Sequence, residues 1–333
     1  MTRTELYSII MIMKSTTEEL FPHVVGQHQA KKRLGFYLDG YRPTGICPHL
    51  MFVAPKGCGK TLMARAMGKQ LTSRENPDKP KKFLEINCST LKSIKQFFNQ
   101  IVIPHINYNE CTILFDEASE LPKDLSMALL TILNPNKENR TTFSYEDYTV
   151  DFDFTQQTFM FATTEAQHIF HALMDRCERV DLEDYTYAQL AEIIGRVMEG
   201  HTFEDGVLDE IATVLRGNAR QAQKMANNMS SYMASQERKN FTKKDWVVLK
   251  DKLSILPLGL SVIELQILRI LREKKESSLT RLSAKTGLTK GCLQRDFEIY
   301  LQKHDLMQIS TNGRELTSKG QDYLKDYDAE IAG

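Results

Sequence analysis

An apolar run, Leu50-Met51-Phe52-Val53, ends against Ala54-Pro55-Lys56-Gly57-Cys58-Gly59-Lys60-Thr61, and residues 62–71 then read as a helix. This stretch constrains the chain most, because a strand emptying into a glycine-bearing loop at a helix start makes a cradle for an anion. Gly57 and Gly59 tolerate positive φ and leave backbone N–H groups uncovered. The helix N-terminus adds unsatisfied donors and a partial positive charge. Lys60 is placed for the β- and γ-phosphates of a nucleotide and the Thr61 hydroxyl for Mg²⁺; Pro55, Lys56, Cys58 and Leu62 complete the loop. Where the usual pattern opens with Gly the chain has Ala54, which fits if φ stays negative at the strand's end. Cys58 leaves two readings open. Beside Lys60 and a helix start it is a thiol of lowered pKa, open to reagents that block ATP; otherwise it is an inert small filler.

The second anchor is Cys111-Thr112-Ile113-Leu114-Phe115-Asp116-Glu117. A short apolar run ending in two carboxylates suits a buried parallel strand with its acids at the C-terminal edge, where open α/β sheets bind ligands. Asp116 is expected to hold Mg²⁺ through water, and Glu117 to orient and deprotonate an attacking water. Around these anchors the pattern alternates. Residues 21–41 form a turn and an amphipathic helix broken by Arg42-Pro43-Thr44-Gly45. A strand follows at 83–87, a helix at 91–101 ended by Pro104, a helix at 122–133 and a strand at 158–164. Alternating βα units predict an α/β domain with a doubly wound, mostly parallel sheet.

Residues 141–154 form an insertion in which Phe143, Tyr145, Tyr148, Val150, Phe152 and Phe154 alternate with polar residues. A hairpin about Glu146-Asp147 pairs Tyr145 with Tyr148 and Phe143 with Val150. Glu-Asp is a poor tight-turn pair, so a slipped register stays open.

Residues 181–256 read as helical throughout, a small lid whose last helix is opened by a Thr242-x-x-Asp245 cap. Pro257-Leu-Gly-Leu260 reads as a linker. The last segment, 257–333, predicts a winged helix: helices at 261–274 and 278–285, a recognition-type helix at 289–303, and strands at 306–309 and 315–317 flanking a wing at Ser310–Arg314. The whole chain has 43 Lys+Arg against 43 Asp+Glu, so attraction to nucleic acid must be local. Residues 261–320 carry 11 Lys/Arg against 7 Asp/Glu, and Lys285, Lys290, Arg295 and Arg314 are the phosphate-contact candidates. A winged helix used for protein contacts stays open. Six scattered cysteines without a Cys-x-x-Cys pair argue against zinc and disulfides and for a reducing, cytoplasmic setting. The N-terminal leader, 1–20, has an apolar run too short to span a bilayer.

The order Val24-Val25-Gly26-Gln27, Gly57–Thr61, Leu114–Glu117, Phe161-Ala162-Thr163-Thr164, Leu173-Met174-Asp175-Arg176, Tyr185 and Gly217-Asn218-Ala219-Arg220 resembles the AAA+ ATPases. Within them it is most similar to the RuvB family of Holliday-junction branch-migration motors, over residues 20–325. The resemblance implies an ATP-binding domain at 21–180, a lid at 181–256 and a winged-helix DNA-binding domain at 257–333. It implies that Thr164 senses the γ-phosphate, that Arg176 is an arginine finger for the neighbouring subunit's ATP, and that Arg220 reaches the nucleotide from the lid. Val25 and Tyr185 border the adenine. Met174 stands where the family commonly has a second arginine, and Ala219 where it has proline. The family's function implies ATP, Mg²⁺, duplex or four-way-junction DNA, a hexameric ring and a junction-binding partner docked near the 141–154 hairpin. Two alternatives stay open: a switch of the clamp-loader type, against which the winged helix argues, and a non-hydrolysing interaction protein.

Overall fold

The computed structural model describes residues 20–74, 76–133, 140–145, 148–154 and 156–332, with 140–153 and 331–332 as backbone. The chain divides into two compact units, Met1–Ile193 with Gly217–Gln223, and Ile194–Arg216 with Lys224–Gly333.

The first unit is built on a five-stranded sheet. In chain order its elements are α1 (His28–Thr44), β1 (Leu50–Val53), α2 (Lys60–Gln70), β2 (Lys82–Asn87), β3 (Cys111–Asp116), α3 (Lys123–Ile132), a hairpin of β4 (Arg140–Tyr145) and β5 (Tyr148–Asp153), then β6 (Thr158–Thr163) and β7 (Glu178–Asp181). The strand order is β2-β3-β6-β1-β7 with parallel pairing throughout. Successive side chains point to opposite faces. Met51, Ile113, Phe115, Phe159 and Phe161 accordingly join one core with α3, while Leu50, Phe52, Leu114, Met160 and Ala162 join another with α1 and α2. The central strands β1, β3 and β6 are buried on both faces, so they read as continuous apolar runs rather than alternating ones. Phe115 and Phe161, partners in the register, stack at 5.1 Å.

Two proline boundaries differ from the sequence expectation. Pro43 lies inside the last turn of α1, and Gly45 at φ 65 closes it; a missing backbone donor costs little where the helix is ending anyway. The helix begun at Ile94–Phe97 passes through Pro104 as a wider-turned segment, Phe98–Ile106. Phe98, Val102 and Ile106, four apart and buried, keep that segment on the core. The hairpin pairs Tyr145 with Tyr148 and Phe143 with Val150, so the expected register holds.

In the second unit the Thr242 capping box forms with Asp245 as expected. Trp246 is buried and its indole N–H donates to Glu210 at 3.0 Å. The winged helix follows: helices Val262–Lys274 and Leu279–Thr286, a helical run over 290–303 with a widened turn at Leu293–Glu298, and a three-stranded sheet. Its strands differ in detail from the sequence reading. Met307–Ser310 pairs with Gly313–Leu316, Ser310 opposite Gly313, so the wing turn is only Thr311-Asn312. Glu276–Ser277 adds a third strand, and residues 318–332 form a helix (Ser318–Ala332) where the sequence suggested none. The expected linker is a pinned turn: the Tyr300 and Tyr323 hydroxyls donate to the Leu258 and Pro257 carbonyls. No described helix is long and apolar enough to cross a membrane.

Candidate functional site

The phosphate loop has the conformation its glycines permit. Gly57 and Gly59 sit at φ 84 and 90, and Ala54 stays out of the left-handed region, its N–H donating to Thr163 O at 3.3 Å. The Lys60 ammonium donates to the Ala54 and Pro55 carbonyls at 2.8 and 2.9 Å, folding back over the loop. Burial lowers its pKa; Arg220 and Lys56 lower it further, while Cys58 and Asp116 oppose them. The Arg220 charge therefore disfavours the Lys60 ammonium, and a polyphosphate at the loop would offset it.

The carboxylates meet the loop as the motif spacing requires. Thr61 Oγ1 donates to Asp116 Oδ2 at 2.8 Å, and Asp116 Oδ1 accepts the Glu117 N–H at 3.0 Å. Glu117 is left-handed, φ 56 and ψ 48, and exposed at the sheet's C-terminal edge. For a residue with a Cβ this conformation costs on the order of 1 kcal/mol, a strain typical of functional positions. Thr163 is buried and closes β6; Thr164 is the next residue, exposed beside the Asp116 strand. Among the described residues no group of three or more His, Cys, Asp or Glu could hold a metal. A divalent ion here would rest on Thr61, Asp116 and the ligand's own oxygens, the arrangement a hard, partly hydrated ion accepts.

Three contributors were not singled out by sequence reasoning. Gln27, at φ 57, bonds both backbone polar groups of one residue: Nε2 donates to Glu183 O at 2.8 Å and Oε1 accepts Glu183 N–H at 3.0 Å. It also bonds the Tyr185 side chain, whose hydroxyl donates to Cys58 O at 3.3 Å. Val25 and Tyr185 are buried at this wall of the loop, and burial raises the tyrosine pKa. Asn218 donates to Lys56 O at 3.0 Å and accepts the Arg220 and Gln221 N–H groups, capping the helix Ala219–Ser235. A Cβ at Gly57 would lie 1.9 Å from Asn218 Oδ1, so that glycine is needed for space as well as for φ. Asp184 accepts from Cys58 Sγ at 3.5 Å. The Cys58 thiol is 1% exposed, beneath the loop rather than on it, which decides for the inert filler.

Arg176 is half-buried and folded onto its own chain, Nε to Leu130 O at 3.1 Å and Nη1 to Ala172 O at 2.8 Å. Met174 packs against the hydrophobic core, which accounts for an apolar residue there.

In the winged helix Lys285, Lys290 and Arg295 are exposed, as phosphate contacts require. Arg314 is a correction. With a two-residue wing turn it lies inside a strand opposite Ile309, not on the wing. Its guanidinium forks onto Glu298, Nε–Oε1 at 2.9 Å and Nη2–Oε2 at 3.1 Å, with side chains 13% and 2% exposed. It staples the wing sheet to the helical run over 290–303.

Residues 50–184 match the model of the ATPase family associated with various cellular activities, and residues 257–325 the RuvB C-terminal winged helix domain. The Holliday junction branch migration complex subunit RuvB of Treponema denticola is 25% identical, over 90% of this chain and 86% of that protein. That of Wolbachia sp. subsp. Brugia malayi is 23% identical, over 90% of each. The solved structure of the Thermotoga maritima RuvB Holliday junction branch migration motor shares the fold, with TM-score 0.72 and 21% identity over 90% of this chain and 95% of that one. A phosphate loop, an acid-ended strand and a RuvB-type winged helix follow one another in a single polypeptide; residues 50–184 carry a domain of the AAA ATPase kind, and the chain as a whole resembles RuvB.

Proposed function

We propose that this protein is an ATP-driven DNA motor of the RuvB kind, an oligomer that moves duplex DNA during branch migration of four-way junctions. The observation that carries the reading is the Thr61–Asp116 hydrogen bond, which joins the phosphate loop to the acid-ended strand in a chain that ends in a RuvB-type winged helix. Lys60 and the loop N–H groups hold the phosphates of ATP, and Thr61 and Asp116 hold Mg²⁺. Bound there, the ion neutralises phosphate charge and polarises the transferred group. Glu117 orients the attacking water and takes its proton as the water oxygen bonds to the γ-phosphorus and the bond to the ADP oxygen breaks. Thr164 and Arg220 report the state of the nucleotide, and Val25 and Tyr185 border its base. Arg176 leaves its carbonyl partners to complete a neighbouring subunit's site in a hexameric ring. The functional parts divide as an ATP-binding domain (21–180), a lid (181–256) and a winged helix (257–333) that carries DNA on Lys285, Lys290 and Arg295, in the cytoplasm.

The β4–β5 hairpin serves as a docking arm for a junction-binding protein, supported by its aromatic-rich alternation and unslipped register. Incubating the protein with ATP and a labelled synthetic four-way junction, with a junction-binding partner present, tests the reading. ATP-dependent separation of the junction into duplexes is expected. ATP turnover without any strand movement favours the clamp-loader type of switch instead.

A further inference from the structure

Arg216 has no part in the chemistry above, yet its side chain is held by a two-bond fork and an aromatic ring beside the nucleotide-sensing turn. Its backbone is left-handed, φ 58, followed by Gly217 at φ 70, two such residues in succession. Its guanidinium makes a fork to Glu264, Nη2–Oε1 at 2.7 Å and Nη1–Oε2 at 3.2 Å, and Glu264 is 0% exposed. The same guanidinium lies 3.5 Å from the centre of the Tyr300 ring. Tyr300 belongs to the helical run over 290–303 and anchors the interdomain turn through its bond to Leu258 O. Glu264 Oε2 also closes the capping box of the first winged-helix helix, accepting from Ser261 N–H and hydroxyl at 2.7 and 2.9 Å. Gly259 completes the joint: a Cβ there would meet Val214 O at 2.1 Å.

Arg216, Glu264 and Tyr300 therefore hold the start of the winged helix through one connected set of contacts. A buried carboxylate satisfied by a planar fork, with an aromatic face stacked on it, fixes orientation as well as distance. On the other side of the Arg216–Gly217 peptide bond, Asn218 holds Lys56 O and Arg220 lies within the electrostatic reach of Lys60. We infer that Arg216 is a positioning residue that ties the nucleotide-sensing turn, residues 217–220, to the recognition helix, so that nucleotide at Lys60 sets the winged helix's orientation. A lysine cannot replace it, because an ammonium neither forks nor stacks.

The inference rests on the proposed function for ATP binding at Lys60 and sensing at residues 217–220, and its DNA arm rests also on the motor reading. Hydrogen exchange of the full chain carrying Glu117→Gln, with and without Mg-ATP, tests it directly. Nucleotide should change exchange at residues 256–264 and 297–303. Arg216→Lys, and separately Tyr300→Leu, should bind ATP within about twofold of the parent and lose that change. No nucleotide-dependent change in the parent, or the same change in both variants, overturns the inference. In the DNA arm, with Glu117 intact, the same variants should keep basal ATPase and lose most of its stimulation by junction DNA. Full stimulation in both variants also overturns it. A parent that DNA does not stimulate counts against the motor reading alone, because the exchange arm decides the coupling without DNA.

Discussion

Removing Arg314 separates two roles that differ in sign as well as size. If it contacted phosphate from a wing tip, Arg314→Ala would leave stability unchanged. DNA affinity would fall about equally for all sequences, and the salt slope would drop by about one. The structure instead pairs it with a carboxylate that is 2% exposed. Breaking such a pair leaves Glu298 charged and dry, at a cost of about 3–5 kcal/mol. With a urea dependence near ~2 kcal/mol per M, the winged-helix transition should move down by about 1.5–2.5 M, read by circular dichroism. Glu298→Leu with Arg314→Met refills the site with apolar volume and should recover to within about 1 kcal/mol of the parent. Trp246, buried and bonded to Glu210, gives a second probe of the same unit by fluorescence. An Arg314→Ala protein that unfolds at the parent's urea concentration and binds DNA tenfold more weakly would refute the staple.

Lys60→Ala should lose most nucleotide affinity, whereas Glu117→Gln should bind ATP at near-parent affinity and turn over at least about a hundredfold more slowly; calorimetry and phosphate release separate the two. Mixing Arg176→Ala with Lys60→Ala chains should restore part of the ATPase, because mixed rings contain an intact composite site, and no recovery at any ratio counts against a finger in trans. His49 is partly buried, accepts the Phe159 N–H at 3.2 Å, and has its pKa lowered from 6.5 to about 4 by desolvation. The folded chain keeps it neutral where the unfolded chain takes up a proton, so stability falls as pH drops from 6.5 towards 4, by an amount on the order of 3 kcal/mol. Urea midpoints across that window should fall less steeply in His49→Gln.

What was legible in the sequence was what local spacing determines. Gly57, Gly59, Lys60 and Thr61 carry their chemistry within five residues, and the Asp116-Glu117 pair ends a run whose burial is set by period alone. Phe143 to Phe152 gave the hairpin register for the same reason. What was not legible depends on partners far along the chain. Gln27 clamps Glu183, Asn218 reaches Lys56 and Arg216 meets Glu264, separations of 156, 162 and 48 residues that leave no periodic trace. Arg314 was misplaced by one local assumption, that the wing runs the full length from Ser310 to Arg314. Gly313, whose Cβ would lie 2.7 Å from Ser277 O, opens a strand instead. Cys58 was ambiguous because the loop's path over Asp184 decides which way the thiol points.

The central claim is that ATP hydrolysis at the Lys60–Asp116–Glu117 site is coupled to DNA through the winged helix. Steady-state phosphate release, measured without DNA, with linear duplex and with a four-way junction, tests it most directly. DNA should raise the rate several-fold in the parent, the rise should fall steeply with added salt, and Glu117→Gln should show no turnover under any condition. A parent rate that is the same with and without DNA, at low salt and saturating ATP, would contradict the coupling even if hydrolysis itself depends on Glu117.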